Sequence, residues 1–268
     1  MNNHDFIPRD QISCSFHLYI YDSIFIQLSA PPPCLPNLSS SDNVDILKSL
    51  RLGKYSKWFN DVQCSDISRK CDVALDLLST AHGCQIEEII LPELKEVSTA
   101  HVVSVACEYA CNLNPECNGG EFAEFTLDTR ASLELFKSFT GAEYVAAQRL
   151  RRRIMYYHME AFKKVDIIVT PTTGITAPII PPSSLISGES NYVVSAYLMK
   201  FVLSANLLGL PAVSVHVGHD KDGLPIGIQL IGRPWGEANL LRVAYAIEEL
   251  CLSSRKKPSI FYDVMHEV

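Results

Sequence analysis

The chain has 268 residues, of which 47% are hydrophobic and 20% charged, and its formal net charge is −7 at pH 7. This apolar fraction is enough for a packed core, so the composition excludes a chain that is disordered throughout. The acidic balance argues against sequence-independent binding of nucleic acid, which needs a surplus of Lys and Arg on one face. We therefore expect no nucleic-acid partner.

The cysteines and the N-terminal residues indicate the cellular compartment in which the protein is expected. Nine cysteines occur without the spacing of a disulfide framework, and a chain of this size needs no disulfides for stability, which favours free thiols in a reducing compartment. Asp5 and Asp10 flank Arg9, unlike the basic start of a secretory signal. No apolar run reaches the roughly 18 residues of a spanning helix. We expect an intracellular protein.

The first part of the chain divides at a Pro- and Ser-rich stretch. Residues 1–30 form an unassigned extension in which alternating apolar residues at 15–21 favour a strand. Residues 31–41 carry the Pro and Ser cluster, which breaks regular structure and marks a domain edge. We therefore treat residues 31–268 as the folded domain.

The next elements predict an α/β fold. An extended segment at 49–59 precedes a helix over 66–81 that Gly83 ends, and a strand over 85–91 follows, so this order indicates a parallel crossover. The other predicted helices are 93–112, 128–139, 142–164, 193–208 and 238–250, and the other predicted strands are 166–169, 212–217 and 225–231.

Two of these helices carry specific expectations. The helix over 142–164 has one apolar stripe, formed by Ala146, Leu150, Ile154, Tyr157 and Ala161. The helix over 193–208 is apolar on nearly all sides, which is typical of a helix inside a core.

The C-terminal half carries the strongest motifs. They are residues 166–174 (DIIVTPTTG) with 177–182 (APIIPP), and residues 205–215 (ANLLGLPAVSV) with 223–237 (GLPIGIQLIGRPWGE). Together they resemble the closing segments of amidase-signature hydrolases, most closely the plant type of fatty acid amide hydrolase. The resemblance begins near Pro31 and implies a mixed, mainly parallel sheet flanked by helices, of which this chain supplies the C-terminal part.

The resemblance also implies a catalytic deficit. The family cleaves amides with a Ser nucleophile, a second Ser in a cis peptide and a Lys, in or near a Gly/Ser-rich stretch. The only Gly-Gly pair here, Gly119-Gly120, has no serine beside it. We therefore expect no catalytic residue in this chain, which would be a truncated hydrolase, inactive alone, whose complete form hydrolyses N-acylethanolamines and other fatty acid amides.

Alternatives to this interpretation stay open. Four serines in the loop after Pro182 come closest to a nucleophile: Ser183, Ser184, Ser187 and Ser190. The usual composition of loops is enough to explain their presence. A non-catalytic module that binds acyl amides or a protein partner is the main alternative to a truncated enzyme. A further alternative is that other residues of this chain hydrolyse the amide.

The resemblance implies a channel for the acyl chain. Its predicted substrate-binding residues are Leu135, Phe136, Phe139, Tyr192, Ser195 and Ala196. Core packing is the alternative, because pockets and cores use the same apolar side chains. The turn at 170–174 either supports this pocket or is an ordinary turn after a strand.

The sequence predicts neither a cofactor nor a metal. Cys107, Cys111, Cys117 and His101 lack the paired spacing of a zinc site. The expected partners are a fatty acid amide or other acyl amide, and a second copy or a full-length relative. Peripheral membrane contact is a further expectation, for which the basic residues at 149–153 could meet anionic headgroups, although a solvated helix surface also explains them.

Overall fold

The computed structural model describes residue 36 and residues 42–117, 125–188 and 191–256. The extension predicted over residues 1–30, with its strand at 15–21, lies outside these residues. Within the described ranges, no helix is both long enough and apolar enough to cross a bilayer.

Five strands form one mixed sheet in the described part of the chain. They are β1 (Arg51–Lys54), β2 (Gln85–Glu88), β3 (Ile167–Pro171), β4 (Ala212–His219) and β5 (Pro225–Gly232). Their spatial order is β2-β1-β3-β5-β4. β1 runs parallel to β2 and β3, whereas β5 runs antiparallel to β3 and β4. The predicted α/β class with a mixed sheet is confirmed, and the parallel and antiparallel parts meet at β3.

Helices surround this sheet. They are α1 (Asp42–Ser49), α2 (Ser56–Phe59), α3 (Ser65–His82), α4 (Leu94–Cys117), α5 (Leu127–Phe136), α6 (Gly141–Phe162), α7 (Ser184–Ser187), α8 (Tyr192–Met199), α9 (Leu203–Leu208) and α10 (Glu237–Cys251). Every helix predicted from the sequence is present, although the one predicted over 193–208 is divided into α8 and α9.

Two apolar cores lie on opposite faces of the sheet. Strand β3 contributes side chains to both cores, because Ile167 belongs to the first core and Ile168 to the second. Successive side chains of a strand point to opposite faces of the sheet. In the first core, α3 and α10 cover the sheet, with Leu75 and Ile247 fully buried. The second core, formed with α4, α6 and α9, is the one next to the cavity described below.

The predicted parallel crossover is confirmed as β1-α3-β2. Helix α3 extends one residue beyond the prediction at each end, and Gly83 follows it with φ of 72°. The Gly83 N–H donates to the Ser79 carbonyl oxygen over 2.8 Å. This left-handed conformation favours glycine, which ends the helix where the sequence predicts it.

The apolar stripe predicted for α6 is wrong at two positions. Ala146 is exposed while Ala147 is buried, and His158, which is fully buried, replaces the half-buried Tyr157 in the stripe. The imidazole is accommodated because its Nδ1 lies 3.0 Å from the Ile154 carbonyl oxygen, to which it donates. A prediction from apolar character alone therefore assigned two wrong residues to the buried face of α6.

The expectation that residues 193–208 form one core helix is also wrong. Helix α9 buries Leu203 and Leu208, but α8 has no buried residue. The reason is that an apolar composition does not distinguish a helix in a core from a helix that lines an open apolar cavity. Helix α8 belongs to the second kind.

Candidate functional site

An open cavity of about 580 Å³ lies where α8 and α9 face α2 and the start of α4. Trp58, Val97 and Leu203 line it and also belong to the second core. The cavity is therefore continuous with packed structure on one side and accessible on the other. Its volume is within the range of small-molecule sites.

One end of the cavity is apolar. Tyr192, Val193 and Ala196 of α8 line it, and Leu94 of α4 contributes as well. Asn191 fixes the start of α8, because its side-chain oxygen accepts from the Val194 N–H over 3.2 Å. Tyr192 is 60% exposed and Val193 is 68% exposed, so these side chains are available to a ligand.

The other end is polar. Lys200 Nζ lies 2.5 Å from Asp61 Oδ2, and the lysine side chain is 22% exposed. Ser204 of α9 also lines this end. Lys95 of α4 adds a second, exposed ammonium group to the cavity wall. The arrangement suits an amphipathic ligand with a long apolar part and a polar group.

The turn predicted at residues 170–174 contacts the helix that forms this wall. The Gly174 N–H donates to the Tyr197 carbonyl oxygen over 2.9 Å, and the Gly174 carbonyl oxygen accepts from the Gln63 N–H over 2.9 Å. A Cβ on Gly174 would lie only 2.9 Å from that Tyr197 oxygen. The turn therefore holds α8 and the segment after α2 at a fixed separation, which positions both sides of the cavity.

Of the three substrate-binding residues predicted on α8, two line the cavity and one lies on the exposed surface. Tyr192 and Ala196 line the cavity. Ser195 is exposed, and its N–H continues the helix by donating to the Asn191 carbonyl oxygen over 2.9 Å. The substrate-binding role of all three stays a prediction.

The other three predicted residues lie elsewhere. Leu135 and Phe136 end α5 and Phe139 follows it, and the Phe136 ring packs edge-on against Tyr109 of α4 at 6.1 Å. The cavity contacts α4 between Leu94 and Ser98, and the 11 residues of helix from Ser98 to Tyr109 span about 16 Å. The structure therefore does not bring Leu135, Phe136 and Phe139 to this cavity.

Several residues of the cavity were missed by sequence reasoning, and one of them had a visible signal. Lys200 is the only charged residue between Tyr192 and Leu208, and an isolated charge in an apolar run is typical of a polar contact. Asp61 and Ser204 gave no such signal, because their roles depend on contacts between distant segments.

Two buried thiols and one buried imidazole away from the cavity have shifted pKa values. Burial raises the pKa of the Cys84 thiol to about 11 and raises that of Cys71 further. Burial lowers the pKa of His158, with an opposing effect from its hydrogen bond to Ile154. Within the described ranges, no group of three or more His, Cys, Asp or Glu side chains is arranged to hold a metal ion.

Comparison with known proteins gives consistent matches. The family model described as Amidase matches residues 22–241. Fatty acid amide hydrolase of Oryza sativa subsp. indica is 67% identical over 241 residues, and that of Medicago truncatula is 58% identical over 240 residues. In both cases the match covers 90% of this chain and 40% of the relative. The chain thus spans about two fifths of the length of these relatives.

A solved structure shares the fold. A bacterial aryl acylamidase of the amidase-signature enzymes aligns with a TM-score of 0.63 and 19% sequence identity. The alignment covers 77% of this chain and 45% of that one. At this level of identity the likeness concerns the architecture alone.

Proposed function

This chain belongs to the amidase family, and from that membership we propose that it forms the acyl-binding part of a fatty acid amide hydrolase-like domain. The observation that carries the proposal is the cavity of about 580 Å³, with an apolar end at Tyr192, Val193 and Ala196 and a polar end at Lys200 and Ser204. In this proposal the hydrocarbon chain of a fatty acid amide lies along α8 and its polar group lies near α9.

In the same proposal, the chain by itself does not hydrolyse the amide. Amide cleavage needs an activated nucleophile and donors aimed at the developing oxyanion. The Gly/Ser-rich stretch in which the family places its serines has no counterpart in this sequence. Losing nucleophile and base together removes most of an enzyme's rate enhancement. Hydrolysis therefore requires an amidase segment that supplies the Ser, Ser and Lys residues.

A binding experiment tests the proposal. A fluorescent long-chain amide is titrated with the purified chain, and we expect saturable binding at micromolar concentrations. Ala196→Trp fills the apolar end of the cavity and should abolish binding. Tyr156→Trp introduces the same indole ring at an exposed position of α6, in place of a phenol, and serves as the control. Absence of binding by the wild-type chain would refute the proposed function.

Two variants decide between the cavity and the predicted α5 site. Phe136→Ala and Phe139→Asp should leave binding unchanged if the ligand occupies the cavity, and should abolish it if the ligand lies against α5. A serine-directed fluorophosphonate probe and an oleamide hydrolysis assay address activity. Labelling with turnover, in protein shown by mass spectrometry to contain only this chain, would contradict the statement that it is inactive alone.

A partner-binding module is the second candidate, and one observation favours it. The segment before α8, which contains α7, exposes four large apolar side chains, with Ile179 at 95% and Ile186 at 92% exposure, together with Ile180 and Leu185. Apolar surface of this kind is typical of interaction sites. In this second proposal that segment packs against the part of an amidase domain that this chain does not supply.

A further inference from the structure

The cavity wall carries more positive than negative charge. Its charged residues are Asp61, Lys95 and Lys200. Lys200 Nζ lies 2.5 Å from Asp61 Oδ2, so this lysine and this carboxylate compensate each other. The ammonium group of Lys95 therefore leaves one positive charge without a counterpart in the wall. An uncompensated charge beside an apolar surface favours an amphiphilic ligand of the opposite charge.

The ammonium group of Lys95 is available to such a ligand. Lys95 lies in the first turn of α4, is exposed, and forms no ion pair within the part of the chain that the structure describes. Glu93 is engaged with Arg153 over 2.6 Å. Glu96 is the next residue of the helix, and adjacent residues of a helix do not face each other. A negative charge for Lys95 can therefore come from the cavity.

The surroundings of Lys95 suit a carboxylate on a hydrocarbon chain. Ser98 lies three residues further along α4 and also lines the cavity, so the two side chains are neighbours on one face of the helix. Their ammonium and hydroxyl groups can both donate to carboxylate oxygens. Tyr192 and Val193 of α8 provide exposed apolar surface in the same cavity. One amphiphilic ligand can therefore use both kinds of surface.

A long-chain carboxylate is the product that hydrolysis of a fatty acid amide releases. Water adds across the C–N bond, which gives a carboxylic acid and an amine, and at neutral pH the acid loses its proton to the amine. The amide is neutral, whereas the acid carries one negative charge. The uncompensated charge of the wall therefore acts on the product and not on the amide.

We propose that Lys95 forms an anion subsite at which the cavity binds the carboxylate of a free fatty acid, so that the acid competes with the neutral amide. The proposal rests on the proposed acyl-binding function and adds to it regulation by the product. Hydrocarbon burial contributes to the affinity for amide and acid alike, whereas attraction to Lys95 acts on the acid alone. Attraction between two unit charges about 4 Å apart in water corresponds to about fivefold in affinity.

The test measures displacement of the fluorescent amide by dodecanoate, dodecan-1-ol and dodecylammonium at low ionic strength. The wild-type chain should bind dodecanoate more tightly than dodecylammonium, and about 1 M salt should reduce this preference because it screens exposed charges. The ratio of dodecanoate to dodecan-1-ol affinity should fall about fivefold in Lys95→Gln and further in Lys95→Glu. Lys95→Glu should also bind dodecylammonium more tightly than dodecanoate, since its wall carries an excess of negative charge.

Lys164→Gln is the matched control, because Lys164 is an exposed lysine beyond the end of α6 that does not line the cavity. It removes the same charge and should leave the affinity ratios unchanged. Unchanged ratios in both Lys95 variants, equal changes in Lys95→Gln and Lys164→Gln, or tighter binding of dodecylammonium than of dodecanoate by the wild-type chain overturns the proposal and leaves the acyl-binding function standing. Failure of the wild-type chain to bind the fluorescent amide removes both.

Discussion

Gln229 Nε2 donates to the Phe201 carbonyl oxygen over 2.9 Å, and this bond joins strand β5 to the segment between α8 and α9. The same nitrogen donates to Thr170 Oγ1 over 3.1 Å, and all three residues are buried. A buried amide with two partners fixes the position of a backbone that has left the helical hydrogen-bond pattern. The cavity wall is therefore anchored to the sheet at the point where its two helices separate.

Gln229→Leu should destabilise the fold and weaken ligand binding. The substitution leaves the buried Phe201 carbonyl oxygen without its donor, which costs about 1–3 kcal/mol. Urea unfolding measures this change. Gln85→Leu, at an exposed position of β2, is the control and should change the free energy of unfolding by less than about 0.5 kcal/mol. Equal effects of the two variants would show that the buried bond contributes nothing.

Gly83→Ala should destabilise the chain through the end of α3. Its φ of 72° is strained for an alanine, at about 1–2 kcal/mol, and the added Cβ would lie 3.3 Å from Lys48 Cγ. Gly141→Ala is the matched control, because a Cβ there has no atom within 4 Å and the residue is the first of α6. Thermal melting should show a loss for the first variant and none for the second. A loss for both would point to a general intolerance of alanine.

The elements that could be predicted from the sequence are those whose signals are local. Helix α3 and its end at Gly83 follow from an apolar period and a glycine within a few residues of each other. The hairpin of β4 and β5 follows in the same way from two apolar runs around a polar loop. Local chemistry determines these features, so no knowledge of distant contacts is needed.

The features that could not be predicted depend on contacts between distant segments. Ala147 rather than Ala146 is buried because of where α6 meets α4 and α9, and both residues have the same local chemistry. Asp61 pairs with Lys200, which lies 139 positions away in the sequence. Its place in the cavity wall could therefore not be predicted from the residues around it. The open side of α8 likewise reflects the empty volume next to it, which composition does not encode.

His158 should make stability depend on pH. Its pKa is lowered by burial, so the folded chain binds a proton less readily than the unfolded chain does. The stabilisation is fully present above the unfolded pKa near 6.5 and is lost as the pH falls from there through the folded pKa. Urea midpoints should therefore decrease from pH 7.5 to pH 5.5, a range of about one unit on either side of that value.

His158→Gln should reduce that decrease, because the glutamine does not titrate. His101 and His216 also have pKa values lowered, with burial as the largest cause, so part of the pH dependence should persist in the variant. His82 is a half-buried histidine in the last turn of α3, and His82→Gln provides the control variant. An identical pH dependence in wild type and His158→Gln would contradict the assignment.

The exposed segment before α8, which contains α7, should make the isolated chain self-associate. Ile179 and Ile186 are 95% and 92% exposed, and apolar surface left in contact with water favours association. Sedimentation velocity of the wild-type chain should show a weight-average mass that rises with concentration. The double variant Ile179→Lys with Ile186→Lys should reduce this rise and also reduce binding of a hydrophobic dye. Val73→Lys changes a half-exposed apolar residue of α3 and should have little effect, so monomeric wild-type chain at every concentration, or an equal response to Val73→Lys, would contradict a role for the segment.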